Sequence, residues 1–175
     1  MRQKDTVLNY AGKEEAIFTL TQVSVEAAPL LSSLHHAAFA GHEPWTQTAF
    51  EQVLTMPGVE AWLVCIKAYQ IAEEEPAEAL PVGFIVCRFV LDEGEILSLG
   101  VHPHWRRRGV ARHLLGHLVQ RAHDEGITLF LEVRRGNHKA RLLYEQTGFQ
   151  QVAIRSCYYD DGEDARLLRF LPDTK

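Results

Sequence analysis

Apolar positions in this chain recur at two spacings, and each change of spacing marks an element. "AIFTLTQV" (16–23) alternates apolar and polar residues and predicts a strand. "VEAAPLLSSLHHAAFA" (25–40) has helical spacing, and Pro29 is tolerable only in its first turn. "EPW" (43–45) is a turn. "TQTAFEQVLTM" (46–56) predicts a second helix, with Thr46 as N-cap and Pro57-Gly58 as its stop. "VEAWLVCIKA" (59–68), "VGFIVCRFV" (82–90) and "EILSLGV" (95–101) predict strands, the last two joined by the turn "LDEG". Val110, Leu114, Leu115, Leu118 and Val119 then recur at helical spacing, predicting a helix over 108–125 that Gly126 ends. "ITLFLEV" (127–133) reads as a buried strand. "NHKARLLYEQTG" (137–148) reads as a helix with Asn137 as N-cap and Gly148 at its end. "FQQVAIRSCYY" (149–159) and "ARLLRFL" (165–171) predict strands flanking "DDGED".

The predicted order is β-α-α-β-β-β-α-β-α-β-β, an α/β arrangement in which antiparallel hairpins lead into a βαβ crossover. Residues 1–14 are polar and predict a flexible extension. Residues 15–175 predict a single domain with no linker and no repeat. Segment 69–81, with Glu73, Glu74 and Glu75, reads as a solvated loop tip.

Composition narrows the function classes. The chain has 175 residues, 46% hydrophobic and 23% charged, with a net charge of −5, so binding nucleic acid through bulk charge is disfavoured and basic partners are favoured. Cys65, Cys87 and Cys157 show no CxxC spacing, which fits a reducing cytoplasm. "MRQKDTVLNY" lacks an apolar signal region, and no apolar run approaches the ~20 residues of a membrane span. A cytoplasmic protein, monomeric or weakly dimeric and away from membranes, is expected.

Against that acidic background, Arg106, Arg107 and Arg108 stand at the start of the helix over 108–125. A cation there costs roughly 0.3–1 kcal/mol, because a helix N-terminus is itself positive. One reading is a solvated basic patch. The other is an anion site: free N–H groups at a helix start, a glycine that lets a phosphate approach, and guanidiniums alongside.

"RRRGVA" (106–111) resembles the R/Q-x-x-G-x-G/A loop of the GNAT superfamily of acetyl-CoA-dependent N-acetyltransferases. Downstream, "LEVR-x-x-N" (131–137), "LYE-x-x-GF" (143–149) and "YY…DGEDA" (158–165) resemble the bacterial ribosomal-protein alanine N-acetyltransferases, the RimI type. The polar N-terminal extension and the acidic 69–81 loop depart from that pattern. The resemblance implies a mixed central sheet of about seven strands with about four helices, its central strands splayed into an acetyl-CoA cleft. It implies acetyl transfer by direct attack on a protein N-terminal α-amine, such as the alanine of a small-subunit ribosomal protein. Other amines remain the nearest alternative: lysine, a polyamine, an aminoglycoside or an amino acid. A non-catalytic coenzyme A-binding module is a further one.

Specific residues carry two readings each. Glu132 lies inside an apolar strand, where a carboxylate needs a reason. It is either a general base facing a cleft or an ion-pair partner of Arg134 on the same face, and the resemblance assigns it the base role. Tyr144 either packs its helix or, as the resemblance implies, protonates the departing thiolate. Asn137 caps a helix and, by resemblance, contacts the coenzyme. Leu99 and Val101 offer backbone groups to the pantetheine arm, with Gly100 compatible with a bulge between them. The loop from Arg106 through Gly109, Val110 and Ala111 to Arg112 would hold the pyrophosphate. Trp45, Tyr158 and Tyr159 either pack or line an acceptor groove. His113 and His117 have metal-like spacing but lack an HExxH glutamate; one polar helix face explains them, and no metal is expected. His35, His36 and His42 form no recognisable ligand set.

Overall fold

The computed structural model describes residues 4–8, 16–40, 44–67 and 79–173. The 41–43 turn, most of the acidic 69–81 segment and most of the N-terminal extension lie outside them, so the expectations for His42 and for the Glu73–Glu75 tip are not addressed. The chain divides into two compact units: residues 1–86 with 99–114, and residues 87–98 with 115–175.

The first unit holds β1 (Lys4–Leu8), β2 (Ala16–Val23), α1 (Ala28–Ala38), α2 (Gln47–Leu54) and β3 (Val59–Lys67). It also holds the first part of β4 (Leu80–Val90), the end of β5 (Glu93–Val101) and the start of α3 (Val110–Glu125). Strands β1, β2, β3 and β4 are hydrogen-bonded neighbours in that order. Strand β1 is an element the periodicity does not predict; it pairs antiparallel with β2, Lys4 opposite Leu20 and Leu8 opposite Ala16. Pro29 does sit in the first turn of α1, where its missing N–H costs nothing. Thr46 caps α2 by accepting from the Ala49 N–H at 3.2 Å. Phe18, Leu31, Phe50, Phe84 and Leu114 form this unit's core.

The second unit continues β4, β5 and α3 and adds β6 (Thr128–Arg134), α4 (His138–Gln146), β7 (Gln150–Arg155) and β8 (Ala165–Phe170). Its strand order is β4, β5, β6, β8, β7, with β5 and β6 parallel and β8 antiparallel to both neighbours. The parallel pair confirms the βαβ crossover and makes the sheet mixed. Residues of β6 alternate: Leu129, Leu131 and Val133 are buried, while Thr128, Phe130, Glu132 and Arg134 occupy the other, half-buried face. Burying each such leucine stabilises by roughly 1.5–3 kcal/mol, which fixes the register. Strand β7 stops at Arg155, not at Tyr159, because Cys157 turns into the left-handed region at φ +50°.

Gly100 has a packing reason of its own. A Cβ there would lie 2.4 Å from the Phe84 ring and 3.0 Å from the Ala38 Cβ. Its missing side chain makes room for β4 and α1, and its backbone is not in the left-handed region.

Candidate functional site

Alternation along β6 turns Glu132 away from the core. Its carboxylate forms an ion pair with the Arg155 guanidinium, Nε to Oε1 at 2.9 Å. The Tyr158 phenol is pushed up to about 12, chiefly by the Glu132 carboxylate and then by burial, and its ring lies 5.7 Å from the Arg155 guanidinium. The partner is therefore Arg155 and not Arg134, although Arg134 shares the face. Glu132 is 14% exposed and Arg155 55%. Both line a cavity of about 350 Å³ together with Arg88, Glu93, Glu95 and Phe130. A carboxylate paired with a guanidinium at the wall of an accessible cavity is within reach of a cationic amine.

Arg134 is spent on the turn that follows β7. Its Nη1 donates to Asp161 Oδ2 at 2.7 Å and to Glu163 Oε2 at 2.9 Å, and its guanidinium stacks 3.9 Å from the Tyr159 ring centre. The other Glu163 oxygen accepts from the Gly136 N–H at 2.7 Å, and Arg135 pairs with Asp164 at 2.9 Å. The Glu163 carbonyl accepts the N–H groups of both Tyr158 and Tyr159 at 3.1 Å. The two rings meet edge to face, 5.2 Å apart. "DDGED" is thus more than a solvated turn: Asp161, Glu163 and Asp164 fasten it to the β6–α4 corner.

Tyr144 projects from α4 into the second unit's core, edge-on to Phe149 at 5.9 Å. Burial pushes its phenol well above the usual range, so it keeps its proton at neutral pH. Asn137 caps α4 by accepting from the Ala140 N–H at 3.1 Å; its own side chain is exposed, which leaves the amide end at the surface.

In the first unit, the loop before α3 departs from the simple picture of three equivalent cations. Arg106 donates from Nη2 to the Ala38 carbonyl at 2.6 Å and from Nε to the Val101 carbonyl at 3.3 Å. It satisfies the C-terminal end of α1, where a cation is favourable, and takes up the Val101 carbonyl expected to serve pantetheine. Arg107 is exposed at φ +63°, and Arg108 lies 4.7 Å over the Trp105 ring. Gly109 has φ +81°, so its conformation, beyond any close approach of a ligand, requires glycine. No acidic residue stands in the first turn of α3. Val110 and Ala111 begin that turn, Arg112 is exposed, and Leu99 and Val101 are half-buried on β5. A helix start with a left-handed turn, flanking guanidiniums and no internal anion fits a polyanionic ligand such as the pyrophosphate of a coenzyme.

Trp45 is held by a residue that sequence reasoning passed over. His35 is 5% exposed; its Nδ1 accepts from the Trp45 N–H at 3.3 Å, and its ring stacks on Phe39 at 4.3 Å and on Trp45 at 5.7 Å. Ser32 donates to the Trp45 carbonyl at 3.2 Å. Burial holds the His35 imidazole down at about 4, so it is a neutral acceptor. Its signal was a histidine on the apolar face of α1. His113 does not lie on a merely polar face either: it packs 6.2 Å from Phe18, and burial lowers its titration. Among the described residues no His, Cys, Asp and Glu side chains group as a metal site, and no helix is long and apolar enough to cross a membrane.

Residues 30–149, more than half of the chain, match the acetyltransferase (GNAT) family. Over 92 residues the chain is 39% identical to the ribosomal protein bS18-alanine N-acetyltransferase of Escherichia coli strain K12, covering 51% of this chain and 62% of that protein. The protein of the same name from Haemophilus influenzae is 42% identical over 79 residues, 45% of this chain and 53% of the relative. The chain therefore matches about three-fifths or less of these relatives' length. The crystal structure of the ribosomal-protein-S18-alanine N-acetyltransferase from Escherichia coli has a TM-score of 0.74 at 27% identity, over 90% of this chain and 96% of that one. Arabidopsis thaliana NAA60, solved with a bisubstrate analogue, shares the fold with a TM-score of 0.73 at 18% identity, over 90% and 99% of the two chains. With the anion-fitting loop, the parallel β5–β6 pair and Tyr144 all inside the matched stretch, the chain belongs to the acetyltransferase (GNAT) family.

Proposed function

We propose that this protein moves an acetyl group from acetyl-CoA to a protein N-terminal α-amine, with the N-terminal alanine of a small-subunit ribosomal protein as the leading acceptor. The observation that carries the reading is Glu132: a carboxylate between apolar neighbours on β6, paired with Arg155 at the wall of a cavity. The relatives named for this reaction support it, and so does the net charge of −5, which favours a basic acceptor.

Acetyl-CoA supplies the acetyl group as a thioester. Arg107, Arg108 and the first-turn N–H groups of α3 bind its pyrophosphate, and Leu99 with Gly100 lends backbone to its arm. Asn137 adds a polar contact. An α-amine titrates near 8 and is mostly protonated at pH 7, so it must lose a proton before it attacks. Glu132 takes that proton. The freed amine attacks the carbonyl directly, and no cysteine is acylated. Tyr144, protonated at neutral pH, gives its proton to the departing sulfur. Tyr158 and Tyr159 frame the acceptor.

The test is incubation with acetyl-CoA and a panel of N-terminal peptides, read by mass spectrometry. Acetylation at the α-amine of an alanine-first ribosomal peptide is the expected result. Acetylation confined to lysine side chains or small amines overturns the acceptor class, and no thiol release with any amine overturns the enzyme.

A further inference from the structure

A circuit of contacts leaves β6 at Arg134 and returns to it at Glu132. Arg134 grips the Glu163 side chain at 2.9 Å, and the Glu163 carbonyl holds the N–H groups of Tyr158 and Tyr159 at 3.1 Å. The Tyr158 ring lies 5.7 Å from the Arg155 guanidinium, which closes the circuit by pairing with Glu132 at 2.9 Å. Arg134 adds a second grip through Asp161 and a third by stacking on Tyr159 at 3.9 Å. The turn it holds, 156–164, lies beyond the stretch that matches the family, 30–149. Resting on the acetyltransferase reading above, we propose that Arg134 is a positioning residue for the acceptor: it fixes the Tyr158–Tyr159 pair beside Glu132.

The chemistry of the network favours positioning over stability. Asp161 is 56% exposed and Glu163 33%, and ion pairs that wet add little to folding. What they do add is geometry. One planar guanidinium meets two carboxylates and an aromatic face at once, a combination that lysine cannot reproduce. Without it, Tyr158 loses the backbone anchor that holds it beside the Glu132–Arg155 pair. The base itself keeps Arg155, so the defect falls on acceptor binding and not on proton transfer or on acetyl-CoA.

The test compares wild type with Arg134→Gln, Arg134→Lys and Asp161→Asn, using whichever amine the wild type acetylates. Steady-state kinetics give the KM for acceptor and for acetyl-CoA; amide hydrogen exchange reads residues 156–164 in the free protein. Arg134→Gln should raise the acceptor KM about tenfold or more, with kcat and the acetyl-CoA KM nearly unchanged and exchange in 156–164 faster. Arg134→Lys should rescue only part of the loss, and Asp161→Asn should fall between. An unchanged acceptor KM in a folded Arg134→Gln protein with faster exchange would show a merely structural clamp and overturn the proposal alone. Equal rises in both KM values would overturn it too. A wild type that acetylates no amine would overturn the parent reading and this one with it.

Discussion

Glu132 and Arg155 are joined across an intervening strand. Glu132 stands opposite Leu167 of β8, and Arg155 reaches over that strand from β7 to place its Nε 2.9 Å from the carboxylate. Leu167 lines the same cavity. The pair thus sits on an open sheet face, where an ammonium group can compete for the carboxylate.

Glu132→Gln keeps the size and an oxygen facing Arg155 but cannot take a proton. Turnover at pH 7 should fall by roughly 10²–10⁴, the usual worth of general base catalysis. The deficit should shrink as pH rises towards 9.5 and the amine deprotonates unaided. Pre-steady-state rates over pH 6–9.5 check this. Wild-type turnover at pH 7 would return the carboxylate to a structural ion pair with Arg155.

The three arginines before α3 should separate. Arg106→Ala removes the bonds to the Ala38 and Val101 carbonyls and should lower stability by about 1–3 kcal/mol. Arg107→Ala and Arg108→Ala should each weaken acetyl-CoA binding about fivefold with little change in stability. Calorimetry at low and high salt and a urea titration distinguish the classes. Gly109→Val is a poor probe of phosphate approach, since any side chain at φ +81° is strained whether or not the coenzyme binds.

His35 makes folding depend on pH. Its imidazole titrates at about 4 in the folded protein against 6.5 unfolded, so the unfolded chain takes up a proton first as pH falls. Stability from this group is complete above about pH 6.5 and is lost as pH falls towards 4, on the order of 2–3 kcal/mol in total. His35→Gln should flatten the slope of unfolding free energy between pH 4.5 and 6.5 relative to wild type. Identical slopes would place the burial penalty elsewhere.

The acidic turn should respond in a lower range. Hydrogen bonds from backbone N–H groups and from Arg134 or Arg135 hold Asp161, Glu163 and Asp164 below the usual carboxylate values. Their contribution is present above the unfolded values near 4 and is lost as pH falls through the depressed folded ones. Exchange of the Tyr158 and Tyr159 amides should therefore stay slow, after correction for intrinsic rates, down to about pH 4 and quicken below it. Quickening already at pH 6 would mean the clamp is not what protects them.

What the sequence revealed and what it hid divide by range. Helix starts at Thr46 and Asn137 were legible because a cap bonds three residues ahead. The face of Glu132 was legible because strand alternation is local. Its partner was not: Arg155 lies on another strand, and a bulge between Gln151 and Ala153 breaks the alternation that would place it. Arg134 shared the face, as read, but its carboxylates come 27 and 29 residues later, from a turn whose composition signals solvent. Strand β1 was hidden because five residues with two charges carry no period of their own. Gly100 shows a general limit: a glycine spelled in a strand does not say whether its backbone bends or a neighbour needs the room.

Tyr144 yields the sharpest test of the proposed proton donor. Its ring is buried against Phe149, so packing alone would explain an aromatic there. Tyr144→Phe preserves that packing and removes only the hydroxyl. If the residue merely packs, turnover should be unchanged. As the acid, it should lose roughly 10²-fold or more in kcat, with acetyl-CoA affinity within about twofold, because the proton is needed only as the sulfur departs. A donor thioester whose thiol is more acidic leaves without a proton. The deficit of Tyr144→Phe should then shrink with that donor, whereas a packing defect would slow both donors alike. Since burial raises the phenol's titration, wild-type turnover should show no loss from Tyr144 ionisation up to pH 9.5.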